Sequence, residues 1–150
     1  MTTPLKVKTW TQAIANKGTE YQPHFLKEQE PKSIAKDVLQ DKNFELIRQG
    51  IIAACSPGGV AYPLFNFKVN NAKLQIDGKN FLEDPDATKS ASATPSASRE
   101  VSVACKTGTA ENGANQAKPH SWITMFAPAY DPQIVVTVMA ENAGEGSDIA

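Results

Sequence analysis

The apolar positions of this chain follow a helical spacing at first and an alternating one later, and each spacing predicts its own elements. Val7, Trp10, Ala13 and Ile14 recur at helical intervals. Thr3 stands where a hydroxyl N-cap belongs, and Pro4 takes the first helical position, where its missing N–H costs nothing. Gly18 can adopt the left-handed conformation that ends such a run. A second helical pattern runs from about Ile34 to Cys55, with an interruption near Asp41-Lys42. Its apolar face is Phe44, Ile47, Ile51 and Cys55, and Ser56-Pro57-Gly58-Gly59 breaks it. Between the two, residues 19–32 carry Pro23 and Pro31 and read as an extended connection.

Further on, the period becomes two. Phe65, Phe67 and Val69 alternate with polar residues, which predicts a hairpin of two short strands between Leu64 and Ile76, turning at Asn70-Asn71. Residues 83–99 hold almost nothing that could be buried. Ordering that Ser/Ala/Thr/Pro segment would cost conformational entropy without apolar compensation, so a mobile loop is expected. Three strands follow, Val101–Lys106, Ser121–Ala127 and Ile134–Glu141. Their connections, containing Asn112-Gly113 and Tyr130-Asp131-Pro132, are short and favour antiparallel neighbours in chain order. Helices first and a meander last predict an α+β fold, with the helices packed on one face of an antiparallel sheet. Trp122 and Phe126, on one face of the middle strand with Thr124 between them, are expected in the core.

Composition narrows the function classes. The 150 residues suit one modest domain, and a formal net charge of -1 gives no electrostatic ground for binding nucleic acid or an anionic membrane. No apolar run approaches the ~20 residues of a membrane span, so no membrane contact by this segment is expected. Cys55, Cys105, His24 and His120 show no metal-ligand spacing, and neither a metal nor another cofactor is expected. The cysteines read first as two small buried thiols, with a disulfide between them left open.

The chemistry gathers at Lys106-Thr107-Gly108-Thr109. A cleft lysine supplies positive charge and eases removal of a nearby proton. The hydroxyls of Thr107 and Thr109 can donate to a carboxylate, and Gly108 lets a ligand backbone approach as an added strand would. Alone, Lys-Thr-Gly is a short pattern. Its chemical setting is the serine penicillin-recognising enzymes, where it accompanies S-x-x-K and S-x-N elements.

The surrounding residues strengthen this. His120-Ser121-Trp122-Ile123-Thr124-Met125-Phe126-Ala127-Pro128 resembles the strand that follows Lys-Thr-Gly in class B penicillin-binding proteins. Ile134 to Asn142 looks like their next strand, which commonly ends in Glu-Asn. Thr3-Pro4-Leu5, with Ala13 to Gly18 and then Tyr21-x-Pro23-His24, is similar to a helix and its sequel in penicillin-binding protein 2 and its relatives. The likeness covers about residues 2–64 and 101–148, and the stretch 65–99 departs from the family pattern.

The resemblance implies a partial transpeptidase (serine β-lactamase-like) fold. The chain then corresponds to the C-terminal portion of the domain and lacks both the part before Thr2 and the rest of a final helix that starts at Ser147. It also implies peptidoglycan D,D-transpeptidation, with Lys106 catalytic and Thr107, Gly108 and Thr109 binding the stem peptide or β-lactam. The backbone N–H of Thr109 would be one oxyanion-hole donor. No S-x-N occurs in the chain, and its one S-x-x-K, Ser33 to Lys36, lies too close before Lys106 for the family's order. Ser33 is therefore read as a helix N-cap, and the chain by itself as inactive. The alternative is a non-catalytic cell-wall-binding or scaffolding module derived from the same fold.

Further implied are an extracytoplasmic location, a parent anchored by an N-terminal transmembrane helix, and the missing N-terminal part of the domain as partner. Without that part, Ile134-Val135-Val136 is expected to form an exposed apolar edge. Glu111 is read as either orienting Lys106 or solvated, and His120 as bonded locally at a strand entry, with substrate contact as the alternative.

Overall fold

The computed structural model describes residues 2–69, 75–76, 79–80, 99–111, 113 and 118–149. Helix α1 spans Pro4–Ala15 and starts as its sequence dictates, with the extended Thr3 accepting a hydrogen bond from the Lys6 amide at 3.3 Å. It ends through Gly18, whose φ of 106° suits glycine and whose amide donates to the Ala13 carbonyl. A side chain at Gly18 would also press on the Phe44 ring, so the turn locks α1 beside the next helix.

Residues 19–32 are not wholly irregular. Strand β1 (Glu20–Tyr21) pairs antiparallel with β2 (Ser33–Ala35). This corrects the expected helix start at Ile34, because α2 spans Asp41–Ala54. Ser33 is an exposed strand residue and caps no helix. The expected apolar face of α2 holds, with Phe44 and Cys55 buried and Ile47 and Ile51 half-buried. After a 3-10 turn at Tyr62–Leu64, β3 (Lys68–Val69) pairs with β6 (Arg99–Glu100), while β4 (Gln75–Ile76) pairs with β5 (Lys79–Asn80). The expected hairpin between 64 and 76 is thus replaced by two separate pairings. Its turn at Asn70-Asn71, and residues 83–98 of the expected mobile loop, lie outside the described residues.

The main sheet is the antiparallel meander β7 (Ala104–Ala110), β8 (His120–Ala127) and β9 (Ile134–Ala140), in that order. Strand β7 begins three residues later than expected and runs through Lys106 to Thr109. The residues before it are held elsewhere, the Val101 amide on the Phe67 carbonyl and the Ser102 carbonyl by the Ala129 amide.

Each face of the sheet buries a small cluster. Ala104, Phe126 and Ala129 pack with Ile14, Ile51, Ile52 and Val135 on the α1 face. On the other face, Cys105 and Val103 meet Cys55, Ala61, Leu64 and Met125. Helix α2 lies against β7 and serves both clusters. Phe126 is fully buried as expected, but Trp122 is only half-buried.

Hydrophobic periodicity does not reveal the seam between α1 and the sheet. Thr9 and Thr11 are buried there, while Trp10 is exposed. Thr11 Oγ1 lies 2.7 Å from Thr124 Oγ1, which lies 2.7 Å from Thr137 Oγ1. Thr11 also has the Val7 carbonyl at 2.9 Å and Thr124 the Val136 carbonyl at 3.4 Å, so the linked hydroxyls have acceptors for their hydrogens. Every member is satisfied, which is what permits hydroxyls in this position.

The two cysteines form a disulfide, Cys55–Cys105, with a Cα–Cα distance of 5.8 Å. It replaces the first reading of two buried thiols and ties the end of α2 to the residue before Lys106. Among the described residues no strand pairs with the outer edge of β9, where Ile134 is 58 % and Val138 42 % exposed. Of the expected apolar edge Ile134-Val135-Val136, Ile134 is exposed, whereas Val135 packs into the core cluster on the α1 face and Val136 is half-buried.

Candidate active site

Lys106, Thr107, Gly108 and Thr109 all lie on β7, an edge strand whose outer side no other strand pairs among the described residues. The register sets Lys106 opposite Thr124 and Gly108 opposite Trp122. Alternation then turns Lys106 and Gly108 to the α1 face and Thr107 and Thr109 to the opposite face. A Cβ at Gly108 would only touch Trp122 Cβ at 3.4 Å, so glycine here is not forced by packing. Its use is to leave the surface bare.

The Lys106 side chain is exposed, and its ammonium donates to the Thr107 carbonyl. Glu111 is exposed and makes no ion pair with Lys106 among the described residues. His120 is bonded locally, its Nδ1 accepting from the Asn142 amide at 3.1 Å. Ser33 pairs with Tyr21 in the β1–β2 ladder, and nothing there resembles an activated nucleophile.

Sequence reasoning missed Glu145. It precedes α3 (Gly146–Ile149) in the turn that crosses the face carrying Thr109 and Ser121. Thr109 Oγ1 donates to Glu145 Oε2 at 2.8 Å and accepts from the Gly146 amide at 3.2 Å. Ser121, fully buried, donates to the Gly144 carbonyl at 2.7 Å. At the far side of the turn, the Tyr62 hydroxyl donates to Asp148 at 2.9 Å. That hydrogen bond, then burial and the nearby charge, holds the phenol above its usual range. The only local hint was the Gly-Glu-Gly run after Glu141-Asn142, and it does not name a partner.

Gly146 has no room for a side chain, because a Cβ would overlap the Gly108 carbonyl oxygen. Gly146→Ala is therefore expected to lift the turn from β7 at a cost of about 1–3 kcal/mol, as overpacking does. Thermal unfolding measures this, and an unchanged melting temperature would show that the turn is not held there.

A cleft of about 700 Å³ lies away from β7, between α1, Arg48 of α2 and residues Tyr130 to Val135. Arg48 stacks 5.5 Å over the Tyr130 ring and pairs with Glu45, so its charge is already used. Among the described residues no group of acidic, histidine or cysteine side chains could hold a metal ion, and no helix is long and apolar enough to cross a membrane.

Against this geometry stand the comparisons with known proteins. The family model of the penicillin binding protein transpeptidase domain matches residues 1–150. The peptidoglycan D,D-transpeptidase MrdA of Haemophilus influenzae is 30 % identical over 99 % of the chain and 22 % of its own length. Penicillin-binding protein 2 of Helicobacter pylori superposes with a TM-score of 0.61 at 26 % identity, over 97 % of this chain and 21 % of that one. Penicillin-binding protein A of Mycobacterium tuberculosis, solved as a ceftriaxone acyl-enzyme, shares the fold with a TM-score of 0.63 at 20 % identity, over 98 % of this chain and 29 % of that one. The chain spans between 10 % and 22 % of the length of the curated relatives it matches. Its α+β arrangement, its Lys-Thr-Gly strand and the family match over the whole chain agree, and the chain belongs to the penicillin-binding protein transpeptidase domain family.

Proposed function

We propose that this chain forms the Lys-Thr-Gly wall of a peptidoglycan D,D-transpeptidase that also takes β-lactams, working outside the cytoplasm. It would be the C-terminal portion of that domain, with the serine nucleophile supplied from outside these 150 residues. One observation carries the reading. The motif lies on a strand whose outer side no strand pairs among the described residues, and beside it an extended stem peptide can add as a further strand.

In the reaction, the serine oxygen attacks the carbonyl carbon between two terminal D-alanines and gives up its proton to a neighbouring base. The C–N bond breaks, the last D-alanine leaves with a proton on its nitrogen, and an acyl-enzyme remains. An amine of a neighbouring stem peptide then takes the acyl group and releases the serine. Lys106 supplies positive charge and a proton relay beside the nucleophile. The hydroxyls of Thr107 and Thr109 bind the terminal carboxylate. The Thr109 N–H faces the developing oxyanion, where loss of one such donor costs about 10²–10³ in rate. Gly108 leaves space for the peptide backbone.

Fluorescent penicillin tests the assignment. The full-length protein is expected to take one covalent label per chain, and the 150 residues alone none. Stoichiometric labelling of the isolated 150 residues would place a nucleophile within them. An unlabelled full-length protein would sink the transpeptidase reading and favour a scaffolding module.

A further inference from the structure

We propose that Glu145 is a specificity residue, whose carboxylate holds the Thr109 hydroxyl so that a ligand carboxylate must displace it to bind. The proposal rests on the reading of Thr109 as a carboxylate-binding group. A threonine hydroxyl carries a single hydrogen. At Thr109 that hydrogen goes to Glu145 Oε2 at 2.8 Å, and the oxygen is occupied by the Gly146 amide. Donation to an incoming carboxylate therefore requires Glu145 to let go.

The backbone beneath Glu145 has little freedom to move away. The Gly144 amide donates to the Pro119 carbonyl at 3.1 Å, and the buried Ser121 hydroxyl holds the Gly144 carbonyl. Gly146 lies directly against the Gly108 carbonyl. Beyond it, the Tyr62–Asp148 hydrogen bond fastens α3. Only the Glu145 side chain is at liberty, being exposed and able to rotate into solvent. The geometry is that of an internal carboxylate standing in for the terminal carboxylate of an acyl-D-alanyl-D-alanine peptide or a β-lactam. Two negative groups sharing one hydroxyl also repel, and salt screens that repulsion. Ligands that lack a free carboxylate escape both effects. Glu145 thus sets how strongly the site discriminates between acids and their neutral analogues.

The test is the second-order acylation rate of the full-length protein by benzylpenicillin and by its methyl ester, which has no free carboxylate. Glu145→Ala is expected to speed benzylpenicillin acylation about threefold to tenfold, the worth of one hydrogen bond, and to leave the ester rate unchanged. Glu145→Gln keeps an acceptor without the charge and should fall between, with a smaller dependence on salt. Equal or slower benzylpenicillin acylation in both variants, at unchanged melting temperature, overturns the proposal. Thr109→Val separates the two readings. If it leaves the acid-to-ester ratio unchanged, Thr109 does not bind the carboxylate and both readings fall. If it lowers the ratio while Glu145→Ala does not raise it, only the role of Glu145 falls. A wild-type protein that does not acylate at all removes both.

Discussion

In the full-length protein, Lys106→Met is expected to slow acylation by a penicillin about 10²–10⁴-fold, the range found when a positioned proton-transfer group is removed. The side chain is exposed on β7 and reaches only the Thr107 carbonyl, so its charge is not consumed by a structural ion pair among the described residues. For the same reason the substitution should leave stability within about 0.5 kcal/mol. Loss of rate at constant stability is the signature of a residue present for chemistry. Lys106→Arg keeps a charge but cannot give up its proton at working pH, and its planar fork does not replace a compact ammonium. It should rescue little. Parallel measurements of acylation rate and melting temperature check the expectation, and an unchanged rate for the Met variant would remove Lys106 from the mechanism.

The second large effect concerns the Cys55–Cys105 disulfide. It joins residues 50 apart in sequence. The loop-closure entropy lost from the unfolded chain corresponds to about 4 kcal/mol for a loop of this length. Total stabilities run to about 5–15 kcal/mol, so this one bond carries a large share. Reduction, or the double substitution Cys55→Ala with Cys105→Ala, is expected to lower the denaturant midpoint strongly. The double variant should then ignore reductant altogether. Both sulfurs sit in the cluster on the Thr109 face, with Cys105 1 % exposed, so reduction must await local opening. Cys105 also precedes Lys106 directly, and the bond fixes the start of the motif strand against the end of α2. Identical midpoints with and without reductant would show that the bond contributes nothing.

Several elements were legible in the chain alone, and the reasons are local. Helix α1 carries its own start and stop in Thr3-Pro4 and Gly18, and the structure uses both. The meander follows from alternating apolar residues and short connections, and β7, β8 and β9 pair in chain order. The motif resemblance led to the family, and the candidate residues Lys106 to Thr109 lie together on β7.

What failed was long-range. Ile34 looked like the start of a helix, yet it is 53 % exposed in a strand held by Glu20 and Tyr21. Lys68 and Val69 looked like half of a local hairpin, yet they pair with Arg99 and Glu100. The buried face of α1 runs through Thr9, whose hydroxyl donates to the Leu5 carbonyl, and Thr11, whose hydroxyl meets that of Thr124 on the sheet. A hydrophobicity pattern assigns threonine to solvent, since its partner is not written nearby.

The sequence by itself determined the first helix, the three-stranded meander and the identity of the motif, because periodicity, caps and turns act within a few residues. Only the tertiary structure decided that Cys55 meets Cys105, that Gly146 lies on Gly108, and that Glu145 holds Thr109. Closing a loop costs little more for a distant partner than for a near one. The choice among partners therefore falls to shape and hydrogen bonding between assembled surfaces, which no local pattern records.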